Sequence, residues 1–343
     1  MFENAVRKKL MKSKDKQVKL SIIVAIYNVE NELPDLLTEL KKIAGNSSVE
    51  ILLMNDGSTD RTGQILSKFH YNNFQVLTYK NGGLSYIRNK GLESSCGEYV
   101  WFVDGDDIIK YKFVCEILKF IERQHPDFIQ FYYHRFKKKD EINLARDPVS
   151  IDSYQWIKPS EWFSKLTNPR EYQFENYAWA HIIRRSIYVD NNILFPMGRN
   201  YEDVATTYRL GNSTKKIVFL KSIGYYYRDR EGSITNHYSE KNVRDLLQSI
   251  NEFKLNKSLV FSETSKTNFI HRYLVGAYYM VTQIQNYDGE AIKWRIRSDL
   301  LNNNFTKLSP RFKIEYLVFR LNLYKLYLIY KSLIKKIIGK KSD

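Results

Sequence analysis

Asp104, Asp106 and Asp107, in the run VDGDD, are the side chains whose type and spacing most directly imply chemistry. Carboxylates crowded onto one tight turn repel one another unless a cation lies between them. A hard divalent ion such as Mg²⁺ or Mn²⁺, held by one or two carboxylates together with substrate phosphates, suits that arrangement. The preceding residues, EYVWFV, are apolar and β-rich, which puts the acids at the carboxyl end of a buried strand, where open α/β sheets bind their ligands. The competing reading is a solvated turn that caps a helix starting near Ile108.

Three other segments bear on the same chemistry. NDGSTD (Asn55–Asp60) lies between an apolar run and a helical one. Gly57 there permits a tight turn, and Asp56 can accept a hydrogen bond from a base edge or a ribose hydroxyl. Helix capping by Thr59 or Asp60 would account for the segment as well. In NGGLSYIRNKGL (Asn81–Leu92), Gly82 and Gly83 let backbone approach a ligand, and Arg88, one helical turn beyond Ser85, can direct its guanidinium at a phosphate or a carboxylate. In NYEDVATTYRL (Asn200–Leu210), Glu202 and Asp203 open a helix, where the helix dipole alone favours acids. The functional alternative is that one of them faces the reaction centre as a general base.

The elements that must position these groups follow from hydrophobic patterning. Between residues 18 and 130, short β-rich runs alternate with helical segments, the pattern of a parallel sheet covered by helices. Strands are expected over Leu20–Asn28, Val49–Asp56, Phe74–Tyr79 and Glu98–Asp104, with helices over Leu33–Ile43, Thr62–Phe69 and Leu84–Ser94. Phe128–Phe136 reads as a further strand, Lys137–Pro159 as a loop or insertion, and the residues from Asn242 onward as helical.

Composition narrows the function class. A chain of 343 residues that is 43% hydrophobic can bury a core without disulfide staples. Cys96 and Cys115 have no second cysteine or histidine at metal-ligand spacing and read as free thiols in a reducing compartment. The start, MFENAVRKKLMKSKDK, lacks the apolar run and cleavage site of a secretory signal, and no stretch approaches the ~18 apolar residues of a membrane span. The expectation is a cytoplasmic protein, soluble or peripheral. A net charge of +16, concentrated at the two ends, implies an anionic partner. No nucleic-acid-binding motif accompanies it, so phosphorylated substrates or an acidic lipid surface are the expected partners.

In the order SIIVAIYN, NDGSTD, GLSYIRNKG, WFVDGDD and YEDV, the segments between Val18 and His237 resemble the family 2 glycosyltransferases of GT-A fold. YYYRDREGSIT (Tyr225–Thr235) is similar to the segment that follows the catalytic carboxylate in bacterial capsule and exopolysaccharide transferases. The resemblance implies an α/β fold, a Rossmann-like mixed sheet flanked by helices. It divides the chain into a basic segment (1–17), a nucleotide-sugar-binding half (18–130), an acceptor-binding half (131–240) and a helical region (241–343). It implies that Asp56, with Ala25 and Tyr27, meets the nucleoside, most often uridine. Asp104 and Asp106 match the family's DxD motif, Asp106 as the direct ligand of Mn²⁺ or Mg²⁺ and Asp104 nearer the ribose. Asp203 matches the base that deprotonates the acceptor hydroxyl, with Glu202 beside it, and Arg228 and Arg230 lie where they could cover the diphosphate. One carboxylate base and no covalent intermediate imply inversion, by the geometric logic that separates inverting from retaining glycosidases.

The implied reaction moves a hexose or N-acetylhexosamine from a UDP-sugar to a glycan or lipid-linked acceptor in cell-surface polysaccharide synthesis. AWAHIIRRS (Ala178–Ser186) departs from the W-N-K-like segment of relatives, which leaves the part played by His181 open. No QxxRW-like motif is present, so one sugar per encounter is expected. A non-catalytic glycan- or nucleic-acid-binding protein on the same scaffold is the alternative. The tail PRFKIEYLVFRLNLYKLYLIYKSLIKKIIGKK mixes aromatic and basic residues. It can lie in the headgroups of an anionic bilayer, at the inner face of the cell membrane, or pack on the catalytic domain or at a homodimer contact.

Overall fold

The computed structural model describes residues 18–144, 149, 151–168, 174–230, 238–284 and 289–326. The chain divides into two units, Met1–Asn236 and His237–Asp343. The basic segment 1–17 and the tail from 327 lie outside the described residues.

In the first unit the continuous apolar runs become the middle of a sheet. Leu20–Ile26 (β1), Val49–Asn55 (β2), Phe74–Thr78 (β3) and Tyr99–Asp104 (β4) pair in parallel in the order β3-β2-β1-β4. Every residue of β1 and β2 is buried, because helices cover both faces, so these strands are mostly apolar instead of alternating, with only Ser21, Glu50 and Asn55 polar. The crossovers run through Leu33–Lys41 (α1), Thr62–Leu66 (α2) and Leu84–Ser94 (α3). α3 lies so close to β1 that a Cβ at Gly91 would stand 2.2 Å from Ile23 Cγ2, a spacing only glycine allows.

Beyond β4 the sheet turns mixed. His181–Arg184 (β8) pairs antiparallel with β4 and with Phe128–Phe136 (β6), and β6 pairs in parallel with Ile217–Arg228 (β9). One sheet therefore runs through both halves of the unit. Two expectations fail here. No helix starts at Ile108: Ile108–Ile109 (β5) is a short strand that pairs with Tyr226 and Tyr225 of β9, and the helix (α4) runs over Tyr111–Gln124. Both isoleucines are fully buried, and β-branched side chains in that setting favour extended backbone. The region from Lys137 is also not all loop, since Tyr154–Ile157 (β7) pairs with the first part of β9. Three of its four residues are exposed, so the strand is set by the unpaired edge of β9 and leaves no apolar pattern of its own. Pro159–Thr167 (α5), Arg185–Asp190 (α6) and Glu202–Asn212 (α7) complete the unit.

The second unit is helical, as its patterning implies: Glu240–Leu255 (α8), Glu263–Gln283 (α9), Glu290–Leu301 (α10) and Pro310–Arg320 (α11). Ser239 and Ser262 cap α8 and α9, their hydroxyls accepting from Asn242 N and Ser265 N. No helix among the described residues is long and apolar enough to cross a membrane.

Candidate active site

The acidic turn sits at the carboxyl end of β4 and is clamped from two neighbours. Gly105 N donates to Ala25 O of β1 at 2.8 Å, which fixes the turn beside the strand that Ala25 and Tyr27 end. From β9, the Tyr225 hydroxyl accepts from Asp104 N at 3.1 Å and donates to Asp107 Oδ2 at 2.6 Å, while Arg228 N donates to Asp107 Oδ1 at 2.7 Å. The three acids thereby separate in role. Asp107 is buried, both its oxygens take bonds from β9, and it locks the turn. Burial, with Asp106 and Asp104 nearby, pushes its carboxyl well above the usual carboxylate range. Asp104 and Asp106 keep partly open side chains.

Each of these two meets an arginine. Arg230 Nε lies 2.7 Å from Asp106 Oδ2. Arg88, from α3, donates through Nη2 to Asp104 Oδ1 at 2.8 Å and through Nη1 to Glu202 Oε1. Of the two targets open to Arg88, the structure places it on carboxylates, with only 3% of its side chain exposed. Arg228 is also engaged: Nε donates to Asp106 O at 2.8 Å, Nη2 donates to Asp35 Oδ2 of α1 at 2.7 Å, and the guanidinium lies over the Phe136 ring. It braces the turn, whereas Arg230 carries the positive charge that sits on Asp106.

Glu202 and Asp203 do open a helix, α7, and the residue before them explains their direction. Tyr201 holds a left-handed backbone (φ 56°), strained for a side chain with a Cβ. That entry turns Glu202 inward to Arg88 and leaves Asp203 beside it, Oδ1 accepting from Val204 N at 2.8 Å. Burial, reinforced by Glu202 and opposed by Arg88, pushes Asp203 up to about 7. A carboxylate with that proton affinity is matched to general-base work near neutral pH.

On the nucleoside side, Asp56 is buried, and its two oxygens accept from Gly82 N and Gly83 N, each at 2.8 Å. Its side chain thus faces backbone amides and holds the Asn81–Gly83 turn. Gly57 is required by the same clasp: its φ is +70°, and an added Cβ would stand 2.8 Å from Asn81 N. Asp60 Oδ1 accepts from Thr62 N, but the residue at the N-cap of α2 is Arg61, so neither Thr59 nor Asp60 holds the cap position expected of them. Ala25 is 8% exposed and Tyr27 46%, so Tyr27 is the open ring at this edge. His181 is a core residue: it packs edge-on against Phe128 at 4.7 Å, and burial lowers its pKa to about 3, so it stays neutral. Asp35 stands in no recognisable motif, and Tyr225, though it opens the YYYRDREGSIT segment, gives no sign there of its bonds to the acidic turn, because the partners of both lie far along the chain.

With this geometry in view, comparison with known proteins is decisive for the family. The family profile described as Glycosyl transferase family 2 matches residues 21–191, which span β1 through α6 and include the acidic turn. The chain belongs to glycosyltransferase family 2. It is 28% identical over 243 residues to glycosyltransferase GlyA of Streptococcus pneumoniae, covering 68% of this chain and 34% of GlyA. It is also 28% identical over 219 residues to the uncharacterized glycosyltransferase EpsJ of Bacillus subtilis, covering 63% of this chain and 62% of EpsJ. The chain thus spans about a third of the first relative and under two thirds of the second. The solved structure of Staphylococcus aureus TarS 1-349 in complex with UDP-GlcNAc superposes with a TM-score of 0.65 at 22% identity, over 84% of this chain and 82% of that one. This likeness establishes the GT-A fold.

The family implies a divalent metal, and the donor set of this enzyme fits one. Burial and the neighbouring Asp104 raise the Asp106 carboxyl against the pull of Arg230, which marks a carboxylate that is stabilised by an added cation. Among the described residues no three acid, histidine or cysteine side chains converge on one point. An ion on Asp106 and Asp104 would therefore complete its shell with phosphate oxygens and water, the habit of Mg²⁺.

Proposed function

We propose that this family 2 enzyme transfers a hexose or N-acetylhexosamine from a UDP-sugar to a hydroxyl of a glycan or lipid-linked acceptor, with inversion and one sugar per encounter, in cell-surface polysaccharide synthesis. The observation that carries the reading is the Arg88 bridge. It ties Asp104, on the donor side, to Glu202, and so holds Asp203 beside the acidic turn. UDP-GlcNAc bound to a TarS of the same fold supports the choice of donor. Asp203 accepts the proton of the acceptor hydroxyl on the face opposite the departing diphosphate, and Glu202 and Arg88 keep its carboxylate oriented. Tyr27 supplies an exposed ring for the base, and Arg230, released from Asp106, reaches the phosphates. When bound at Asp106 and Asp104, Mn²⁺ or Mg²⁺ supplies positive charge that stabilises the leaving diphosphate.

Calorimetry with UDP tests this reading. The expected result is binding that tightens with Mn²⁺ in the wild type and loses that dependence in Asp106→Ala. Absence of UDP binding with or without Mn²⁺ would sink the nucleotide assignment.

The proposal extends to an anionic membrane surface at the cytoplasmic face. On α11 and at its C-cap, Ile314, Leu317 and Leu321 are 62%, 42% and 64% exposed along one stripe, with Lys313 and Arg320 beside them. Flotation should carry the full chain up with vesicles containing acidic lipid and leave it behind with neutral ones. Equal recovery from both would remove the membrane from the proposal.

A further inference from the structure

One face of β6 and β9 carries a run of aromatic rings that starts at the acidic turn. Tyr133 and Arg135 of β6 stand opposite Tyr225 and Tyr227 of β9, so the four share this face. Trp179 stacks on Tyr225 with centroids 4.4 Å apart and planes 9° apart, and on Tyr177 at 4.8 Å and 14°. Tyr227 lies against the same indole at 5.5 Å. Tyr225 ends the run at the acidic turn, through its bonds to Asp107 and Asp104. Tyr177, half-buried, ends it where the charges of both Asp203 and Arg135 act on its hydroxyl.

Among the described residues Arg135, the cation of this run, has no carboxylate partner. Its guanidinium lies over Tyr227 at 5.0 Å and Tyr133 at 5.9 Å, and the groups that face it are the Tyr177, Tyr133 and Tyr227 hydroxyls. Among the described residues no carboxylate pairs with it, whereas Arg228 and Arg230 each hold one and Arg88 holds two. Stacking and a hydrogen bond to the Tyr133 hydroxyl hold the planar fork in place without neutralising it, which leaves its remaining N–H groups for an external anion. The half-buried tyrosine rings beside it offer flat apolar edges and faces that suit the C–H faces of sugar rings.

We propose that Tyr177, Tyr227 and Arg135 form a subsite for an acceptor that carries an anionic substituent, a phosphodiester or a carboxylate, near the hydroxyl presented to Asp203. This assignment rests on the transferase reading above, since it gives the ligand as the acceptor of that reaction. The guanidinium binds the anion, the tyrosines bind the sugar face, and acceptor charge becomes the property selected.

The test uses the full chain with UDP and Mn²⁺ and three probes: methyl glucoside, its 6-(methyl phosphate) diester and methyl glucuronide, their binding read by saturation-transfer NMR. The expected result is a preference of about tenfold or more for one or both anionic probes over methyl glucoside, the size of a charge-assisted contact. Arg135→Gln should erase that preference, Arg135→Lys should restore part of it, and UDP affinity should hold in both. Whichever anionic probe wins identifies the substituent. Equal affinity for all three probes, or a preference that survives Arg135→Gln in a protein folded by circular dichroism, overturns the subsite. If UDP fails to bind while the Arg135-dependent preference persists, the transferase reading falls and the anion site stands. If UDP binds and no preference exists, the subsite alone falls.

Discussion

Asp203→Asn is expected to lower kcat by about 10²–10⁴-fold, the usual contribution of a positioned general base, while UDP still binds. Asparagine keeps an oxygen to accept from Val204 N, so the start of α7 is preserved and only the proton acceptor is lost. The pH profile separates this role from a structural one. Burial and Glu202 raise Asp203 to about 7, against Arg88, and Asp104 and the Tyr177 hydroxyl also face it. The base works only when ionised, so kcat/KM of the wild type should rise with pH through about 7 and level above it. Asp203→Asn should lack that limb. Stability carries the opposite sign. A carboxyl whose folded pKa lies above its unfolded one loses stability as pH rises between the two. The melting temperature of Asp203→Asn should therefore exceed that of wild type at about pH 8, where Asp203 carries a buried charge, and match it at about pH 4. An activity loss below about tenfold, or an unchanged acid limb, would remove Asp203 from the base position.

The largest effect on stability is expected at Arg88. Its guanidinium is 3% exposed and serves Asp104 and Glu202, whose side chains are 23% and 9% exposed. A buried ion pair adds little net stability by itself, but removing one partner strands the other. Arg88→Met should cost about 3–5 kcal/mol in urea unfolding, toward the lower figure because Asp104 reaches solvent. The deficit should be larger near pH 8 than near pH 5, because Asp203, raised to about 7, is then ionised and has lost the guanidinium that offsets its charge. Arg88 also opposes the rise of Asp203, so its loss should move the acid limb of any remaining activity upward. Arg88→Lys keeps the charge but cannot fork between two carboxylates, and should fall between wild type and Arg88→Met. A loss under about 1 kcal/mol would mean that water already screens the triad.

Much of the first unit was legible because its signals are local. β1, β2 and β4 are buried on both faces, so they read as apolar runs with few interruptions, and α3 was expected over the residues it occupies. VDGDD, NDGSTD and YEDV announce strand ends and a helix start through residue types that turns and caps require. What remained hidden depends on partners distant in sequence. β5 and β7 exist because the long strand β9 offers them edges. Asp35 matters because Arg228, 193 residues later, needs a carboxylate. Asp107 and Asp106 look alike in sequence, yet the Tyr225 hydroxyl draws one inward and leaves the other to Arg230.

The sequence by itself determined the fold class, the family and the set of acids from which a donor site and a base are drawn, since hydrophobic period, turn chemistry and motif order are properties of neighbouring residues. Only the tertiary structure decided which acid does what. Proton affinity and charge pairing depend on burial and on through-space distance, and it is packing that brings Arg88 between Asp104 and Glu202 and leaves Arg135 without an acid beside it among the described residues.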